Sequence, residues 1–152
     1  EDLKEMVLVV ERMSEQSEAC GLDRAKLAEL MRSEVSNTGL VLAESGPTLY
    51  LNINTAAVGE VCFSSVNLRV QYYTQVPHPT KTDGAIAQVT LWDDGFVASS
   101  ELSNHGEYIS GLIADMAQDF VVDWREANPR TLLMAPNSNN ANAPIMNAPP
   151  SQ

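Results

Sequence analysis

Thr48-Leu49-Tyr50-Leu51-Asn52-Ile53-Asn54 alternates apolar with polar residues. The longer run Val66-Asn67-Leu68-Arg69-Val70-Gln71-Tyr72 does the same, and Val76 continues it past Gln75. Successive side chains of a strand point to opposite faces, so this period of two describes strands with one apolar and one polar face. Ala85, Ala87, Val89 and Leu91, alternating with Gln88 and Thr90, make a third. Three such strands in succession predict an antiparallel sheet with one face on the core and the other wet. Pro77, Pro79 and Gly84 break the chain between the second and third strands, and Asp93-Asp94-Gly95 reads as a turn.

Upstream, Leu3 to Met13 contains Met6-Val7-Leu8-Val9-Val10, a continuous apolar run typical of a strand covered on both faces. Asp23 then suits an N-cap, and Leu27, Leu30, Met31 and Val35 recur at helical spacing up to a stop at Gly39. Leu40 to Ala43 reads as a short strand ended by Ser45-Gly46-Pro47. Downstream, a second helix is predicted from Asn104, with Glu107 three residues on as in a capping box. Its apolar stripe is Ile109, Leu112, Ile113, Met116, Phe120 and Trp124, and Pro129 ends it. This order predicts an α+β two-layer sandwich over residues 1–128, a mainly antiparallel sheet with two helices packed on one face. Residues 129–152 are rich in Asn, Pro and Ala and read as an extended C-terminal arm. Leu132, Leu133, Met134, Ile145 and Met146 are its natural anchors on a partner surface.

Composition bounds the function. A chain of 152 residues is about one domain long. Twenty acids against nine scattered bases give a net charge of -11. Such a chain repels polyanions, which excludes nucleic acid and an anionic membrane surface as partners. No apolar run approaches the roughly 20 residues of a membrane helix, so no direct membrane span is expected. No basic segment followed by an apolar one opens the chain, so any secretory signal is expected to have been removed or never present.

Cys20 and Cys62 belong to no metal-binding pattern. As a disulfide they would close a loop worth roughly 4 kcal/mol and require an oxidising compartment such as the periplasm. As thiols they would be two small buried hydrophobes.

Candidate chemistry is thin. The histidines are His78, between two prolines, and His105, which reads as a surface neighbour of the second helix cap. Ser64, Ser65, Ser99 and Ser100 fit strand or loop patterns, and no GxSxG elbow, P-loop or GxGxxG is present. Asp115, Asp119 and Asp123 repeat every four residues, as a solvated helix face does. Asp93-Asp94-Gly95 lacks the alternating oxygen ligands of a calcium loop. No catalytic residue, cofactor or metal is therefore expected. Tyr50, Tyr72, Tyr73 and Trp92 fall on the strands, and Tyr50, Tyr73 and Trp92 are expected on the wet face. There they would make a protein contact or stack on a glycan or other ligand.

The element order, with Gly39-Leu40 entering the short strand, then Pro47-Thr48-Leu49-Tyr50-Leu51-Asn52-Ile53 and the long Val66–Val76 strand, resembles domains of bacterial envelope machinery. It is similar to the N-terminal domain of the Tol system's propeller protein, to ring lipoproteins of exopolysaccharide and curli export, and to accessory ring proteins of flagellar motors. The resemblance spans about residues 3–128 and implies a non-enzymatic periplasmic assembly part, often in a ring. The expected function is a structural or accessory subunit of an extracytoplasmic assembly, contacting protein partners or further copies of itself through the sheet face and the C-terminal arm. The alternatives are a periplasmic ligand- or glycan-binding module and, last, a hydrolase using Asp94 and His105.

Overall fold

The computed structural model describes residues 3–36 and 38–129. The alternating segments form β3 (Thr48–Val58), β4 (Val61–His78) and β5 (Lys81–Glu101), paired antiparallel. Their register sets Leu49 beside Val70, Leu51 beside Leu68 and Ile53 beside Val66, all buried on one face. Each such side chain removed from water contributes about 1.5–3 kcal/mol.

The apolar run forms β1 (Glu5–Val10), which lies parallel to β3 and to the two-residue β2 (Val41–Leu42). The sheet is therefore mixed, in the order β2-β1-β3-β4-β5. Among the described residues β1 is not covered on both faces. Met6 and Val10 are buried toward the helices, whereas Val7 and Val9, opposite Thr48 and Tyr50, are only half-buried on the other side.

Among the described residues three helices form the second layer, one more than the periodicity predicts. The extra one, α1 (Glu15–Ala19), has five residues and buries only Ser17. One turn is too short to show an apolar stripe; it is held by Ser14, whose hydroxyl accepts from the Ser17 N–H at 3.2 Å. α2 (Arg24–Ser36) starts at the expected cap, with Asp23 accepting from the Ala25 and Lys26 amides at 2.9 and 3.2 Å. Gly39, at φ +92, turns the chain out of it. α3 (His105–Ala127) buries Ile109, Ile113, Met116, Phe120 and Trp124, with Leu112 at the margin. The capping box at its start does not form: Asn104 makes no side-chain cap bond and Glu107 is exposed. At its end, the Trp124 indole donates to the Leu3 carbonyl at 2.7 Å. The Leu3 amide in turn donates to Asn128 Oδ1 at 2.6 Å.

Two expected breaks are strand. β4 runs through Pro77, and the hairpin closes at Pro79–Thr80, with His78 opposite Lys81. Asp93-Asp94-Gly95 is the interior of β5, not a turn, opposite Arg69, Leu68 and Asn67. Gly95 serves close packing instead, since a Cβ there would lie 2.7 Å from the Val66 carbonyl oxygen. Beyond Gln71, β4 pairs only with β5, so the last seven residues of β4 and their partners project as a ribbon of about 20 Å.

Candidate functional site

The helices pack on one face of the sheet, and among the described residues no helix packs on the other. On a half-wet antiparallel sheet that face is normally polar. Here one end of it is apolar. Val58 is opposite Val61, and Phe63 is opposite Ala56 on one side and Ser99 on the other. Val97 follows, opposite Ser65. Val58 and Val97 are 70% and 78% exposed, Val61 and Phe63 39% and 42%. Cross-strand neighbours on one face touch, so these four form one patch.

The middle of the face is polar and tied together. Asn54 donates to Asn52 Oδ1 at 2.7 Å, Asn52 donates to the Glu11 carboxylate, and Arg69 Nε donates to Asn67 Oδ1 at 2.7 Å. The Arg69 guanidinium lies over the Tyr50 ring, 6.0 Å from its centroid. Hydrogen bonding to Glu11 is the main cause of a raised Tyr50 phenol pKa; burial and the Glu11 charge add to it. A small polar depression lined by Asn67, Arg69, Thr90 and Asp93 lies beside this row. Toward the ribbon, Tyr73 and Ile86 are 66% and 79% exposed.

Of the three aromatics expected on the wet face, Tyr50 and Tyr73 are there and Trp92 is not. Val70 pairs with Trp92 and Gln71 with Thr90, leaving Leu91 as an extra residue in a β-bulge. The bulge shifts the phase of the alternation, so Trp92 turns to the helix side. It meets Phe120 edge-to-face at 5.1 Å and donates its indole N–H to Asp123 Oδ2 at 2.8 Å. Asp115, Asp119 and Asp123 are all exposed on α3. Leu132, Leu133, Met134, Ile145 and Met146 lie outside the described residues. Sequence reasoning missed Val58, Val61, Phe63 and Val97. The signal was present in Val61-Cys62-Phe63-Ser64, where the apolar residues occupy the phase that is polar from Asn67 onward.

His105 is the largest departure from the sequence reading: it is fully buried, not a surface residue. Its Nε2 lies 2.8 Å from Ser64 Oγ and its Nδ1 2.8 Å from Ser100 Oγ. Ser64 Oγ lies in turn 2.8 Å from Thr55 Oγ1. A Ser–His pair is the kernel of a nucleophilic site, but this one is enclosed in the core, and its third member is a hydroxyl where a triad carries a carboxylate. The network satisfies buried polar groups. Burial lowers the His105 pKa, because removal from water disfavours the imidazolium.

Next to the network, Cys20 at the end of α1 is bonded to Cys62 on β4, with Cα atoms 6.2 Å apart. The α1–α2 junction and the start of α3 also touch backbone to backbone: a Cβ on Gly106 would run into the Gly21 carbonyl. Disulfide, glycine contact and buried histidine thus fasten one corner of the sandwich.

No protein-family model matches the chain, and no curated protein sequence matches it. Among solved structures it is similar to a minor lipoprotein from Acinetobacter baumannii, at 13% identity and a TM-score of 0.33. That match covers 84% of this chain and 95% of the other. At that distance the likeness carries no argument about function.

Proposed function

We propose that this chain is a non-enzymatic structural or accessory subunit of a bacterial multiprotein assembly outside the cytoplasm, meeting its neighbours through the uncovered sheet face. The observation that carries the reading is the contiguous patch of Val58, Val61, Phe63 and Val97 on a face that a solitary domain would make polar. At the other end of that face, across the polar middle, the half-buried Val7 and Val9 add a second apolar spot on β1. The Cys20–Cys62 bond supports an oxidising compartment, because cytosolic thiols are kept reduced. The resemblance in element order to envelope-assembly domains supports the same location. Residues 129–152 would add a second point of contact.

Native mass spectrometry of the 152-residue chain, isolated gently from its native cells, tests this. The wild type is expected in a defined complex above the 16.5 kDa monomer, and Phe63→Asp/Val97→Asp as a folded monomer. An unchanged complex in the double variant would refute the interface. A glycan-binding role is favoured by one observation, Tyr50 flanked by hydrogen-bonding Asn52 and Arg69. It requires oligosaccharide binding that Tyr50→Ala abolishes while the mass stays monomeric.

A further inference from the structure

The other open surface is a strand edge. β2 covers only the first part of β1: the Val41 amide donates to the Lys4 carbonyl and the Ala43 amide to the Met6 carbonyl. The chain then leaves for β3. On the opposite side, the Val7 amide donates to the Pro47 carbonyl and the Glu11 amide to the Leu51 carbonyl. Odd-numbered backbone groups of β1 therefore point to β3 and even-numbered ones to the β2 side. Past Ala43, the amide and carbonyl of Leu8 and the amide of Val10 face that side, and none of the described backbone groups bonds them there. The Val10 carbonyl is held by a side chain, Arg24 Nε, at 2.8 Å.

The edge opens onto a cleft of about 460 Å³ between β1 and the first half of α2. Leu8 and Val10 form one wall; Ala25 and Ala28 leave the helical wall low; Arg24 and Arg32 stand at its rim. Arg32 lies 3.6 Å from Glu29, and both side chains are largely exposed, so that pair is weak and exchangeable. The chain has nine bases against twenty acids, and two of the nine stand at this cleft. The far edge of the sheet, β5, is different: it is bulged at Leu91 and carries Asp93 and Asp94, devices that discourage strand addition.

We propose that the free edge of β1, with Arg24 and Arg32, binds an extended acidic segment of a partner protein by strand addition. This site is separate from the uncovered sheet face and stands whether or not that face is an interface. Main-chain bonds to Leu8 and Val10 would continue the place of β2. Alternate side chains of the segment would drop onto Ala25 and Ala28. Asp or Glu side chains would take the guanidinium nitrogens that Arg24 does not spend on Val10, and those of Arg32.

The test uses a fluorescent, C-terminally amidated peptide, Thr-Val-Thr-Asp-Thr-Val-Thr-Asp, which sets Val and Asp on the same strand face, its Asn counterpart, and the 152-residue chain. The Asp peptide is expected to bind and the Asn peptide to bind at least about tenfold more weakly. In amide-resolved NMR, Leu8 and Val10 are expected to shift and to gain exchange protection. Arg24→Gln/Arg32→Gln should lose at least about tenfold in affinity. Because Arg24 also holds the Val10 carbonyl, Ala25→Glu provides a second variant at an exposed position, with the same loss expected and an unchanged melting temperature. Equal binding of the two peptides would overturn the proposal, as would no binding up to about 1 mM. So would protection confined to β5 or to the Tyr50–Phe63 face. Protection of Leu8 and Val10 that rises with protein concentration and needs no peptide would also overturn it, assigning the edge to a second copy.

Discussion

Breaking the Cys20–Cys62 bond should cost this domain a large part of its stability without changing its architecture. The bond joins residues 42 positions apart, tying the end of α1 to β4 in the sheet. Cross-linking a loop of that length removes about 13 cal/mol/K of chain entropy from the unfolded state, or about 4 kcal/mol at 25 °C. Set against a typical total of about 5–15 kcal/mol, that is about a quarter or more of the stability. A described domain of roughly 125 residues unfolds with an entropy near 0.26 kcal/mol/K, so the melting temperature should fall by about 15 °C. The assay is thermal unfolding followed by circular dichroism, with and without a phosphine reductant, and with Cys20→Ala/Cys62→Ala as the permanent counterpart. The far-ultraviolet spectrum at 20 °C should be unchanged, because the Thr55–Ser64–His105–Ser100 network and the Gly21–Gly106 contact remain. A fall of less than about 3 °C would contradict this, since the unfolded chain would then gain little from release of the loop.

Gly106 and Gly111 offer a paired test on one helix. Gly106→Ala should destabilise by about 2 kcal/mol or more, because its Cβ would meet the Gly21 backbone, whereas Gly111→Ala, with nothing within 4 Å, should stabilise by about 0.5–1 kcal/mol. Urea midpoints of the two variants check both signs. His105 should give a pH signature. Its folded pKa lies below the unfolded 6.5, so its contribution is complete above that pH and is lost as pH falls toward the folded value. The stability difference between wild type and His105→Gln, measured in urea from pH 8 down to 4.5, should shrink on the acid side, and a difference independent of pH would contradict the buried neutral imidazole.

The central strands were legible because Leu49, Leu51, Leu68 and Val70 obey a strict period of two, which only a half-buried sheet demands. Asp23 and Gly39 announced α2 by their chemistry alone, and the stripe from Ile109 to Trp124 announced α3. What sequence reasoning missed depends on contacts between distant segments. A bulge at Leu91 shifts the phase by one residue, and with it the side that Trp92 faces, yet nothing in Val89-Thr90-Leu91-Trp92 marks the extra residue. Gly95 next to two aspartates imitates a turn; its actual cause is the Val66 carbonyl on the neighbouring strand. His105 resembles a cap neighbour until Ser64 and Ser100, from two different strands, are seen to enclose it. The apolar end of the uncovered face was hidden for a similar reason. Val58, Val61, Phe63 and Val97 come from three strands and become one patch only through the register.

That patch carries the functional account, and site-specific photo-crosslinking in the native cells tests it most directly. A benzophenone side chain would be placed in turn at Phe63, at Val97, and at Tyr108, which is 45% exposed on α3. A discrete protein adduct is expected from Phe63 and Val97 and none from Tyr108. Adducts from Tyr108 alone, or the same diffuse products from all three positions, would contradict it.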